Sequence, residues 1–264
     1  LIVPINRVKL HTDFVGPIQS GLCKMLVIGL GNHKGCSAVH EEAPEVFADA
    51  IEETARLILQ KAPVGFGIAI LENAYDKTYA VEAVPAEHLV EREKELVQIA
   101  KGNMPYIMLD EADVIVCGAI GKDISGAGFD PNILGRSSVL KQFVLHIPRY
   151  QRLVLCDVTP ASHGNGIGVG LFDVITKKVA EQLDLESMYA NAIACNCLGD
   201  ASVPCTVDDE ETAIRVALKC CRNIDRDHPR IIRIQNTLHL GEIEVSEALL
   251  DAVRADSRMS LIEN

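Results

Sequence analysis

Apolar runs alternate with amphipathic stretches along this chain. Five runs predict β-strands: Leu1–Asn6, Phe66–Glu72, Asp113–Gly118, Arg152–Asp157 and Ile231–Gln235. Several are continuously apolar instead of alternating, the pattern of strands buried on both faces under covering helices. Five amphipathic stretches predict helices: Pro44–Lys61, Pro85–Lys101, Val169–Leu183, Asp208–Cys221 and Ser246–Arg254. Several of them open on Pro, Asp or Ser, residues that suit a helix start. Alternation of strands and helices predicts an α/β fold, as against an all-α or all-β one.

The pattern breaks between Ala100 and Asp110, where Gly102, Asn103 and Pro105 precede a new strand. We expect two α/β domains, residues 1–105 and 106–264, with the last helix returning toward the first domain and a site in the cleft between them. The chain opens on LIVPIN, which reads as an internal strand, so the first domain is expected to be incomplete at its N-terminus. No internal repeat, low-complexity tract or heptad pattern is present.

Composition then narrows the class of protein. At 264 residues and 48% hydrophobic, the chain has enough apolar side chains for one large or two modest cores, which argues against disorder. A formal net charge of −12 disfavours nucleic acid and anionic membrane surfaces as partners and points to small molecules. No run of apolar residues is long enough for a transmembrane helix, and no signal-peptide layout opens the chain. Nine cysteines, an odd number, do not suggest a secreted disulfide framework, so reduced thiols and a cytoplasmic location are expected. The C-x-C of Cys195 and Cys197 and the adjacent pair Cys220 and Cys221 lack the paired C-x-x-C spacing of a structural zinc site. Cys117 and Cys156 lie in apolar runs and read as small hydrophobes; packing is also expected for Cys23 and Cys36.

The richest chemistry lies in SGLCKMLVIGLGNHKGCSAVH, Ser20 to His40, where Lys24 stands sixteen residues before His40 across a glycine-rich turn. A lysine forms covalent links once its free amine is exposed, and neutral imidazole is a common nickel ligand. His11 lies thirteen residues before Lys24, in the sequence HTDF. Three further polar clusters follow predicted strands, the position at which α/β proteins place ligands. GAIGKDISGAGFDPNILGR holds Lys122, Asp123, Asp130, Asn132 and Arg136; TPASHGNGIGVG holds His163 and Asn165; NTLHL holds Asn236, Thr237 and His239. Each also has a plain reading, as a solvated loop, a tight glycine turn and a structurally bonded histidine, respectively.

These segments together, from HTDF through the Lys24 and His40 spacing to GKDISG, ASHGNG and NTLHL, resemble the nickel-pincer-nucleotide-dependent lactate racemase family, as a divergent branch. The resemblance implies that Lys24 is joined covalently to the cofactor, a nickel complex of pyridinium-3-thioamide-5-thiocarboxylate mononucleotide. It implies His40 as the one protein ligand to nickel and His11 as the acid/base histidine, although His11 stands further from the lysine than in the best-known members. A second catalytic histidine and a phosphate-binding region are implied upstream of the chain. The implied activity is an isomerase, a racemase or epimerase of a 2-hydroxy acid: a histidine takes the hydroxyl proton while the carbinol hydride passes to the pyridinium ring and returns to the opposite face. Cofactor-biosynthesis proteins are the implied partners. The family's Gln and Lys spacing in its substrate segment is not reproduced; Lys122 or Arg136 would hold the substrate carboxylate, with Asp123, Asp130 and His163 nearby.

Two other classes stand beside this one. The Gly29–Gly35 turn, GLGNHKG, has the look of a dinucleotide-binding loop and would suit a nicotinamide-dependent dehydrogenase. A non-catalytic binding protein that retains the fold is the third.

Overall fold

The FGIAILE run forms the middle of a small sheet because it offers one face to helices and leaves the other open. In this computed structural model, which describes residues 1–31 and 43–262, β1 (Ile5–Arg7) pairs parallel with β2 (Phe66–Glu72), which pairs antiparallel with β3 (Thr78–Pro85). Gly67, Ala69 and Leu71 are buried while Phe66 is exposed. This strand is therefore covered on one face, not on two as its apolar run suggests, and its partner β3 was not predicted at all.

Three helices cover that face. Leu22–Lys24 (α1) runs directly into a π-helical turn, Met25–Gly29. Phe47–Lys61 (α2) and Leu89–Asn103 (α3) are each led in by a 3₁₀ turn, Pro44–Val46 and Ala86–His88. Leu22, Leu26, Ile51, Ala55, Leu89, Leu96 and Val97 meet Ala69 and Leu71 in one core, against which Val144 and Leu145 also pack. This core belongs to the first of two units into which the chain divides: Leu1–Pro105 with Val139–Leu145, and Tyr106–Ser138 with His146–Asn264.

The second unit holds a six-stranded sheet in the order β7-β6-β5-β4-β8-β9. Its strands are β4 (Val114–Cys117), β5 (Arg152–Leu155), β6 (Val174–Thr176), β7 (Cys205–Val207), β8 (Ile231–Ile234) and β9 (Ile243–Val245). All pair in parallel except β9, antiparallel to β8. β4 is wholly buried, as its unbroken VIVC predicts for a central parallel strand. Chain order runs outward from β4 to β7, then crosses back to place β8 on the other side of β4. The carboxyl ends of β4 and β8 thus form a topological switch point, where open α/β sheets place ligands.

Short helices accompany this sheet: α4 (Pro131–Leu134), α5 (Lys177–Gln182), α6 (Leu185–Ala194), α7 (Glu210–Lys219) and α8 (Leu250–Ala255). The helix expected over Val169–Leu183 is a 3₁₀ turn, strand β6 and α5 in succession. The β-branched trio Val174, Ile175 and Thr176 is drawn between β5 and β7, and burial in the sheet overrides the amphipathic pattern. The last helix, α8, lies in the second unit; the segment that joins the first is Val139–Leu145. Among the described residues no helix is long and apolar enough to cross a membrane. The described cysteines are all free thiols, with Cys23 and Cys117 fully buried.

Candidate active site

A short antiparallel bridge explains how thirteen residues of separation bring His11 to Lys24. Lys9 and Ser20 exchange backbone hydrogen bonds of 2.9 and 3.2 Å, closing the loop between them. Residues just inside the bridge then face residues just beyond it. His11 follows Lys9 by two positions and Lys24 ends α1, one turn after Ser20. The Lys24 Nζ and the His11 Nε2 lie 2.5 Å apart.

His11 is held at both its backbone and its ring. Its backbone N–H donates to Gln19 Oε1 at 2.8 Å, and Gln19 Nε2 donates to Gly16 O at 3.1 Å. The ring stacks on Phe14 at 4.3 Å, and Phe14 stacks on Phe47 of α2 at 5.4 Å. The Asp13 N–H donates to Nδ1 at 3.0 Å, and the Asp13 carboxylate lies 3.9 Å from the same nitrogen. Lys24 Nζ and His11 Nε2 share one hydrogen bond whose donor depends on the ring tautomer. A primary amine beside an oriented imidazole is an arrangement that suits covalent chemistry at the amine.

The start of α1 has an unusual cap. Its N-cap residue, Gly21, has no side chain to offer, and Glu93 of α3 takes that place: Oε2 accepts from the Cys23 N–H at 2.8 Å. Glu93 is fully buried, and burial pushes its carboxyl up to about 7 despite the N–H groups of Cys23 and Leu22 that favour its charge. The same burial, with Glu93 alongside, pushes the Cys23 thiol far up, so Cys23 packs and does not react. Glu93 escaped the sequence reading. The signal was there: it falls four residues after Leu89 and three before Leu96, on the apolar face of its own helix.

His40 lies outside the described residues, as does most of the Gly29–Gly35 turn. Among the described residues no group of three or more His, Cys, Asp or Glu side chains is placed to hold a metal ion. The run leading into the turn, Leu22–Gly29, is helical. A dinucleotide loop needs a strand there.

In the second unit, the loops after β4 and β5 meet. The Lys122 N–H donates to Ser162 Oγ at 2.8 Å, the Thr159 hydroxyl donates to the Asp123 carboxylate, and Thr159 and Ser162 hydroxyls lie 2.9 Å apart. A Cβ on Gly121 would fall 2.0 Å from Thr159 Oγ1, so only glycine permits this approach. The Lys122 ammonium donates to Gly126 O at 2.6 Å. His163 follows Ser162 in a left-handed conformation, φ 48°, with its side chain exposed. Asp130 caps α4 through Asn132 N, and its own N–H donates to Thr237 Oγ1 beyond β8, both at 2.9 Å. Thus Lys122, Asp123, Asp130 and His163 all sit in loops at the carboxyl ends of the strands.

Arg136 does not join them. Its guanidinium pairs with Asp173 at 2.6 Å, donates to Leu171 O at 2.8 Å and lies over the Tyr150 ring. Asp173 directly precedes β6 and accepts from Leu153 N at the start of β5, so Arg136 braces the amino ends of these two strands. The guanidinium expected to hold a substrate carboxylate is engaged here by these protein groups. His239 is bonded within its own turn, Nδ1 to Asn236 Oδ1 at 3.0 Å.

No protein-family model, curated protein or solved structure matches the chain.

Proposed function

We propose that the chain is a racemase or epimerase of a 2-hydroxy acid that uses a nickel-pincer nucleotide tethered to Lys24. The observation that carries this reading is the 2.5 Å contact between Lys24 Nζ and His11 Nε2. It joins the two side chains to which the resemblance gives the tether and the acid/base role, across a spacing that differs from the family's. The residues fit the tether: Lys24 is half-buried and its amine stands within hydrogen-bond reach of an imidazole that can take up its proton as the covalent link forms. When bound, the nucleotide would supply the acceptor for the substrate's carbinol hydride.

The chain's own part is proton movement and placement. Taking a hydroxyl proton at Nε2 requires the ring proton to sit on Nδ1, where the Asp13 carboxylate, 3.9 Å away, is within reach after a small adjustment. Phe14 and Phe47 on one side and Gln19 on the backbone keep the ring from turning. In the second unit, Lys122, whose ammonium donates to Gly126 O, is a cation at the strand ends that would suit an anionic group. The helical run before Gly29 leaves the dehydrogenase reading without its strand.

The test is production of the protein together with cofactor-biosynthesis proteins, followed by intact-mass, peptide-mass and nickel measurements. An adduct on Lys24 with bound nickel is expected. An adduct on another lysine, or none, overturns the assignment. His40→Ala is expected to lower nickel content with the fold intact. His11→Ala is expected to keep adduct and nickel while turnover falls, chiefly in kcat, by the roughly 10²–10⁴-fold that a general base contributes.

A further inference from the structure

We infer that Glu93 is a positioning residue for the Lys24 amine, acting through the start of α1; its importance for reaction rests on the reading of Lys24 as the tether. Three observations carry it. Glu93 Oε2 accepts from Cys23 N, the residue immediately before Lys24. Its other oxygen, Oε1, is buried and makes no hydrogen bond of normal geometry, a costly arrangement on an element that could have carried leucine there. Gly21 is shaped to the carboxylate: its φ of −179° is open to any residue, but a Cβ would fall 2.5 Å from Oε1 and 2.9 Å from Oε2.

These features form one device. A helix that starts on glycine lacks its own cap, and its first N–H groups need an acceptor. Glu93 supplies it from α3, and thereby fixes where α1 begins relative to the rest of the core. Lys24 is the third residue of that helix, so the direction in which its side chain leaves the backbone follows from that starting point. The charged groups around this corner are already paired with one another: Glu52 with Arg56 at 2.7 Å and with Lys94 at 2.8 Å. They do not supply the cap.

The experiment is limited acetylation with acetic anhydride, with Lys24 labelling read by peptide mass spectrometry against Lys9 and Lys61, both exposed, as internal references. In the folded protein the Lys24 amine is engaged by His11. Withdrawing the cap by Glu93→Ala, or displacing it by Gly21→Ala, should raise the Lys24 ratio about three- to tenfold, the worth of one hydrogen bond. Glu93→Gln, whose amide oxygen still accepts from Cys23, should keep the wild-type ratio. Glu93→Asp, one methylene shorter, should raise it and decides the matter if an alanine variant does not fold. Folded variants with unchanged ratios overturn the inference, as does a Gln variant that behaves like Ala. Failure of the tether reading is a separate result: no adduct in cofactor-loaded wild type, with the acetylation ratios unaffected.

Discussion

At the scale of single residues, the most consequential group is one that looks out of place. Glu93 occupies an apolar helix position, and burial raises its carboxyl from 4.5 to about 7. A carboxyl whose pKa is higher in the folded than in the unfolded chain favours folding in its protonated form. Its contribution is full below about pH 4.5 and is lost as pH rises through about 7, a difference of about 3 kcal/mol. Glu93→Gln, which cannot ionise, is therefore expected to be more stable than wild type at about pH 8, with the gain shrinking toward about pH 5. Urea midpoints at the two pH values measure this; a gain that is larger at the lower pH contradicts it. Lys24 makes the second residue-scale prediction. Lys24→Arg keeps the charge but has no free amine, so the covalent adduct should vanish from the loaded protein by intact mass. Retention of the adduct would reject Lys24 as the tether.

At the scale of elements, local pattern and tertiary pairing divided the outcome. The helices over Phe47–Lys61 and Leu89–Asn103 and the strand at Val114–Cys117 follow their apolar patterns closely, while Phe66–Glu72 is a strand with only one face covered. β6 does not, since three residues between Asp173 and Lys177 carry too little periodicity to be told from helix until β5 and β7 flank them. Thr176 shows how such a strand is finished. Its hydroxyl donates to Cys156 O at 2.8 Å and accepts from Val179 N at 3.4 Å, so one side chain ties β6 to its neighbour and caps α5. Thr176→Val keeps the shape and removes both bonds. It is expected to cost about 1–2 kcal/mol in urea unfolding, whereas a change under about 0.3 kcal/mol would show that the cap is idle.

For the whole molecule, each of the two units has its own sheet and its own core, and each core can be probed separately. Ile115 of β4 is fully buried among parallel neighbours, and Ile115→Ala is expected to cost about 2–5 kcal/mol, read from the denaturation of the second unit. A cost below about 1 kcal/mol would mean that the centre of this sheet is not packed as described. The sequence by itself determined the α/β class, the central strands and the long helices, because these depend on apolar spacing over neighbouring residues. It also marked Lys24, His11 and the polar loops after the strands. Only the tertiary structure decided which of them meet. The Lys9–Ser20 bridge puts His11 against Lys24, α3 brings Glu93 to the start of α1 seventy residues away, and Asp173 draws Arg136 to the amino ends of β5 and β6, away from Lys122 at the carboxyl ends of the strands. Hydrogen bonds and ion pairs between distant residues depend on where the backbone returns, and that is fixed by packing, which leaves no period in the sequence.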